Sequence, residues 1–305
     1  MIGHRAVGIS SLWLGRLDAA RGHLNQVLAL YDPDRHRSLA SLYAYDPRVP
    51  GLAGMSVTLL QLGYPEQALA RSRDALAAAE DLAHPASLAY ALQHACVFHQ
   101  MCRDGEGVRE RAAQLIALAG EQGFPYWLAA GLVFGGWARA QHGQVQEGMA
   151  QIEEGLAAYR ATGAALFRPY FLALSAEAHD RANRRAEALG LLREALAEVD
   201  RSGERWFEAE LHRLAGELLR SDRTQAESCF RRAIEVASKQ GAKTWELRAA
   251  TSLGRLWRDQ DGRAEAHALL SPIYGWFAEG FNTADLQDAR ALLNEPGRTP
   301  PSATV

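Results

Sequence analysis

Apolar residues along this chain recur at helical spacing. In residues 186–199, AEALGLLREALAEV, the positions Ala188, Leu191, Leu192, Ala195, Leu196 and Val199 fall on one face of a helix and charged residues on the other. Alanine, leucine, glutamate and arginine dominate, and all four favour helix. No alternating Val/Ile/Thr run bounded by Asn-Gly turns signals a strand.

The helical pattern repeats. Small residues recur at Gly8, Ser56, Cys96, Gly136, Ala176, Gly216 and Gly254, with spacings of 48, 40, 40, 40, 40 and 38. A second column of small or slender residues runs Ala20, Ala68, Val108, Gly148, Ala188, Ala226 and Ala266. Eight residues beyond it comes an apolar one: Leu28, Leu76, Ile116, Leu156, Leu196, Ile234 and Tyr274. Each unit reads as an apolar helix, a breaker such as LGR, QHG or RAN, and a more charged second helix. Small residues belong where two helix axes come closest. The pattern therefore predicts an all-α, tetratricopeptide-like solenoid of about seven antiparallel helix pairs in a right-handed superhelix. The expected units lie near 2–31, 49–82, 86–122, 125–162, 167–202, 205–241 and 243–278 of a repeat domain spanning 1–294.

The first interval is longer because of residues 32–51, where Asp-Pro occurs twice, which reads as an ordered loop between the first two hairpins. A last helix is expected over 283–294, with Thr283 as N-cap and Asp285 in the first turn. Its Leu286, Ala289 and Leu293 would cover the apolar face of the final hairpin, while Asp288 and Arg290 face water. Residues 295–305, EPGRTPPSATV, read as a disordered tail. An aromatic column, Trp127, Phe167, Phe207 and Trp245, marks the start of the first helix in four units. It reads as packing between repeats, with an aromatic ladder along a groove as the sharper alternative.

Composition narrows the function classes. With 48% hydrophobic residues and 23% charged residues, the chain can build a large core. A net charge of −3 gives no basic surface for nucleic acid. The uncharged run 125–138 is too short to span a membrane. Three cysteines, Cys96, Cys102 and Cys229, form no CxxC pair, which fits a cytoplasmic location.

Several stretches together resemble one family: YDPDRHRSLASLYAYDP (31–47), LGYPEQALARSRDALAAAEDLAHPASLAYAL (62–92), GLAAYRATGAALFRPYFLALSAEAH (155–179), GERWFEAELHRLAGELL (203–219) and YGWFAEGFNTADLQDARALLNE (274–295). They resemble the C-terminal helical-repeat region of bacterial predicted ATPase/adenylate-guanylate cyclase regulators, which is similar to the tetratricopeptide-like region of maltose-type transcription activators. The resemblance implies a superhelix that docks or senses something and relays it to other domains. No GxxxxGK[ST] loop and no strand-rich region occurs in this sequence, so neither the ATPase nor the cyclase activity transfers to it. The close start at Met1, seven residues before the first small column, suggests a separate or truncated member of the family with an exposed apolar flank on its first hairpin.

Candidate chemistry is sparse. Cys96, His99 and Cys102 form CxxHxxC, but Cys96 occupies the small packing column and a fourth ligand is lacking, so no metal is expected. His179-Asp180 and Glu153-Glu154 are adjacent on helices and diverge, so no catalytic residue and no cofactor is expected. Binding is the better reading. In tetratricopeptide-like folds the first helix of each pair lines the concave side. That places Tyr90, Gln93, Val133, Trp137, Tyr170, Glu177, Glu210, Arg213, Arg248 and Arg255 along a groove that begins aromatic and ends densely charged. Such a groove suits a protein partner or a sister ATPase/cyclase domain, with a small-molecule effector as the alternative.

Overall fold

The computed structural model describes residues 1–259 and 262–294. The expected tail over 295–305 lies outside the described residues. Described residues form α-helices and short turns, with no strand among them.

Seven antiparallel pairs follow in order. The first pair is α1 (Ile2–Trp13) with α2 (Leu17–Leu30). Residues 32–47 then link it to the second as an ordered segment of three short helical turns, α3 (Pro33–His36), a 3-10 turn (Arg37–Leu39) and α4 (Ala40–Tyr43). Asp32 stabilises the first of these by accepting from the Asp34 amide at 3.0 Å. The other pairs are α5 (Arg48–Gln61) with α6 (Pro65–Leu82), α7 (Pro85–Met101) with α8 (Gly105–Gln122), α9 (Pro125–Gln141) with α10 (Val145–Ala161), α11 (Arg168–Arg181) with α12 (Arg185–Ser202), α13 (Glu208–Leu218) with α14 (Arg223–Gln240), and α15 (Lys243–Arg258) with α16 (Arg263–Tyr274). A single helix, α17 (Ala284–Asn294), ends the described chain.

Local sequence explains these boundaries. Pro65, Pro85 and Pro125 open α6, α7 and α9 at the first helical position, where a missing N–H costs nothing. Asp104 and Asp222 cap α8 and α14 by accepting from the Gly107 and Gln225 amides at 2.9 and 3.1 Å. At the other ends, Gly203 and Gly241 take φ of +77° and +67°, which closes α12 and α14 at little steric cost.

The small columns sit where helices touch. A Cβ added at Gly136 would lie 2.6 Å from the Gly148 carbonyl oxygen, and one at Gly148 would lie 2.5 Å from that of Gly136. The backbones of α9 and α10 therefore meet directly. Ser56 does the same work with a hydroxyl, donating at 2.8 Å to the Ala68 carbonyl.

The superhelix closes on itself. The concave side is filled by Trp13, Phe167, Tyr170, Trp206, Phe207 and Trp245, all buried, with neighbouring ring centroids about 5 Å apart. The first two hairpins are bonded to the last two: the Arg205 amide donates to the Trp13 carbonyl at 2.8 Å and the Thr244 hydroxyl to the Leu60 carbonyl at 2.5 Å. The aromatic column is accordingly packing, with Phe167, Phe207 and Trp245 in the interior and Trp127 half-buried beside Phe124 and Tyr126. No described helix is long and apolar enough to cross a membrane.

Candidate functional site

Closure removes most of an open groove and leaves a cleft of about 430 Å³ on the concave side. It opens between the C-terminal halves of α7, α9 and α11 and the first turns of α13 and α15, and α17 forms its far wall. Its lining is polar: Gln100, Trp137, Gln141, Glu177, Arg181 and the Glu210–Arg213–Arg248 group, with Arg103 and the α17 residues Gln287 and Asp288 at the mouth.

An ionic network forms the floor. Arg213 clasps Glu210 with two bonds of 2.8 Å and reaches Glu217 at 3.3 Å. Arg248 grips Asp285 with two bonds of 2.9 and 2.6 Å, donates to Glu210 at 3.1 Å and to the Met101 carbonyl at 2.5 Å. Burial alone would push the Glu210 carboxyl up, but the Arg213 and Arg248 guanidinium groups outweigh it and hold it below the usual range. The same pairs keep both arginines charged. Above them Arg103 bridges Asp285 and Asp288 at 3.1 and 2.8 Å, and Arg255 meets Asp288 at 3.0 Å. Asp288 thus does not simply face water, as its place on the outer side of α17 suggested; it ties α17 to the α7–α8 turn and to α15.

Glu177 stands apart from this network. The Trp137 indole N–H donates to it at 3.1 Å and the Gln100 amide lies at 3.5 Å, but no arginine is within ion-pair distance among the described residues. Burial pushes its carboxyl up to about 7, helped by the Glu210 charge and opposed by the Trp137 bond, Arg213 and Arg248. Arg181, one turn further along α11, turns to the Gln141 amide oxygen and has no carboxylate partner among the described residues.

Of the ten groove positions expected from the sequence, the cleft gathers Trp137, Glu177, Glu210, Arg213 and Arg248. Arg255 joins the network behind Asp288. Gln93, Val133 and Tyr170 lie elsewhere: they are buried in the closed interior, Gln93 donating to Tyr126 and Tyr170 to Gln100. Tyr90 is stacked on His94 at 4.1 Å. The reason is physical: the first hairpin packs into the concave side, so its N-terminal half becomes core. Gln100, Gln141 and Arg181 were missed, although each lies four residues past a small column or groove position, where the same helical stripe continues. Arg103 and α17 gave no local signal, because only closure of the chain brings them to the cleft. The CxxHxxC residues do not converge: Cys96 is buried in the core and His99 bonds Asp104 at 2.8 Å.

No protein-family model matches this chain. An uncharacterized protein of Rhizobium meliloti (strain 1021) is 29% identical over 251 residues, covering 80% of this chain, and the chain spans about a quarter (24%) of that relative's length. Among solved structures, the apo form of RapI has a TM-score of 0.55 at 10% identity, covering 97% of this chain and 99% of that one. A Rap protein complexed with competence and sporulation factor has a TM-score of 0.55 at 10% identity, covering 94% and 95%. The human IFIT1 dimer with PPP-AAAA has a TM-score of 0.51 at 18% identity, covering 94% and 61%. At these identities the likeness is one of fold, and the fold is that of a tetratricopeptide-like helical solenoid.

Proposed function

We propose that this chain is a non-catalytic, cytoplasmic interaction module of a larger ATPase-cyclase type regulator, and that its recognition site is the cleft on the concave side. One observation carries the reading: polar side chains from five successive repeats and from α17 converge on a single cavity. Partner segments or effectors bound there would bridge α7, α11, α13 and α17, and so would change how firmly the solenoid is closed. That gives a route from occupancy to attached domains. The Rap protein bound to competence and sporulation factor supports the idea that this fold can hold an effector.

A small or short effector is favoured over an extended protein segment. The aromatic interior already occupies the rest of the concave side, and a cavity of about 430 Å³ lies in the range of ligand pockets. Its lining arginines are largely neutralised by carboxylates, which speaks against a polyphosphate or nucleic acid.

Low-molecular-weight and macromolecular fractions of a bacterial extract, offered separately in a thermal-shift assay, test the reading. A ligand at 100 times its Kd stabilises by about 2.7 kcal/mol. We expect one fraction to raise the melting temperature of the wild type and not of Arg181→Glu. Equal responses, or none from either fraction, would overturn it.

A further inference from the structure

Glu177 and Arg181 sit four residues apart on α11, acid first. On an isolated helix this is the favourable order for an ion pair. Here the pair is held open. Trp137 and Gln141, themselves four residues apart on α9, take one member each: the Trp137 indole N–H donates to Glu177 at 3.1 Å and the Gln141 amide oxygen accepts from Arg181. The other lining arginines are already spent, Arg213 on Glu210 and Glu217, Arg248 on Glu210 and Asp285, Arg103 on Asp285 and Asp288. What the cleft leaves without an ionic partner is therefore one acid and, more exposed, one guanidinium on the same helix, with Gln100 and Gln287 as further neutral hydrogen-bonding groups.

Resting on the cleft as the recognition site, we propose that its ligand is a free α-amino acid, its ammonium seated on Glu177 and its carboxylate on Arg181. A polyanion would leave Glu177 opposed, and a polycation would leave Arg181 opposed. A peptide separates its two charged termini along the chain, whereas a single amino acid carries both signs on one carbon. Its carboxylate also matches the forked donors of Arg181. With both ends engaged, the side chain would point toward Gln100 and Gln287, which favours a polar one.

Proton linkage supplies a second signature. Burial pushes Glu177 up to about 7, so the empty cleft holds it partly protonated at neutral pH. An ammonium requires the carboxylate. The charged groups around it are Glu210, Arg213 and Glu217 from α13, Arg248 from α15, Arg103 from the α7–α8 turn, Asp288 from α17, and Asp180 and Arg181 on its own helix. Arg213 and Arg248 stay charged, and Glu210, Glu217 and Asp288 are held below the usual carboxylate range by the arginines beside them. Glu177 is then the cleft group that titrates near neutrality. Binding should release a proton and tighten as pH rises, by about tenfold between pH 6 and pH 8.

Isothermal titration calorimetry of the full chain with each of the protein L-amino acids, and with their N-acetyl and carboxamide derivatives, tests this at pH 6 and pH 8. We expect at least one amino acid to bind with the stated pH dependence and both of its blocked derivatives to fail. Glu177→Gln should lose the pH dependence, and Arg181→Gln should weaken binding at least tenfold. Urea midpoints like that of the wild type would show both variants folded. No binding by any amino acid, or equal binding by blocked derivatives, overturns the proposal. If an extract component still binds in an Arg181-dependent way, the cleft remains the recognition site and the zwitterion alone is wrong. If nothing binds in that way, both fall.

Discussion

The amide of Arg205 donates to the carbonyl of Trp13 at 2.8 Å, bonding the end of the first helix to the turn that opens the sixth hairpin. The same closure recurs further along. The Trp245 indole donates to the Gln61 side chain at 3.2 Å, and the Glu279 carboxylate accepts the Glu66 and Gln67 amides at 2.9 and 3.2 Å, sitting at the N-terminus of α6. An open solenoid unfolds from its ends as a sum of neighbouring repeats. Here the first hairpin depends on the sixth, and the second on the seventh and on the segment that follows it.

Trp206 is the hinge of that dependence, fully buried among Trp13, Tyr170 and Phe207. Trp206→Ala should cost about 3–5 kcal/mol. It should also speed amide hydrogen exchange in α1, far away in sequence. Unchanged protection of α1 would mean that the first hairpin is stable without closure.

Two glycine substitutions should act in opposite directions. At Gly136 an added methyl meets backbone, the Gly148 oxygen at 2.6 Å and the Ile152 nitrogen at 2.8 Å, so α9 and α10 must separate. Gly190, inside α12, has open space around it. Gly136→Ala should lose about 1–3 kcal/mol, while Gly190→Ala should gain about 0.4–1 kcal/mol. Urea midpoints measure both, and a shared sign would refute the close-approach account.

Buried titrating groups give stability a pH dependence with opposing arms. Glu204 is pushed up to about 7 by burial, against the opposing bonds from the Trp206 indole and the Phe167 amide. The unfolded chain loses that proton near the ordinary glutamate value and the folded chain keeps it. This contribution is full at low pH and is lost as pH rises from about 4.5 through 7. His94, pushed down to about 4 by burial, works the other way: its contribution is present above about 6.5 and is lost as pH falls toward 4. Glu204→Gln should therefore gain on the wild type between pH 5 and pH 8. A difference in stability that does not change with pH would contradict the raised carboxyl.

Arg248 binds Glu210, Asp285 and the end of α7 from a buried position. Arg248→Met leaves Glu210 to Arg213 and Asp285 to Arg103 alone, and should cost about 3 kcal/mol. Arg231, paired with Glu227 at an exposed site, should cost less than about 1 kcal/mol when replaced by Ala. Comparable losses from the two would show that the cleft floor is no tighter than the outer surface.

The sequence carried the helices, because Gly136, Gly148 and Ser56 mark axis contacts that a fixed period exposes. It carried Trp137, Glu177, Glu210, Arg213 and Arg248 as one stripe, because helical geometry is local. It did not show that Val133 and Tyr170 are core, since nothing local states that the superhelix bends far enough for Trp13 to reach Trp206. For the same reason Arg103 and Asp288, 185 residues apart, could not be matched before the chain was seen to close.

The most direct test of the cleft as the recognition site is the Trp137 indole N–H resonance, assigned among the seven tryptophans by Trp137→Phe. It is bonded to Glu177 and lines the cleft. The account predicts that this signal titrates with a midpoint near 7, stops titrating in Glu177→Gln, and moves when the ligand binds while the buried Trp206 and Trp245 signals stay in place. A Trp137 signal indifferent to pH from 5 to 9 and to every ligand that stabilises the protein would contradict it.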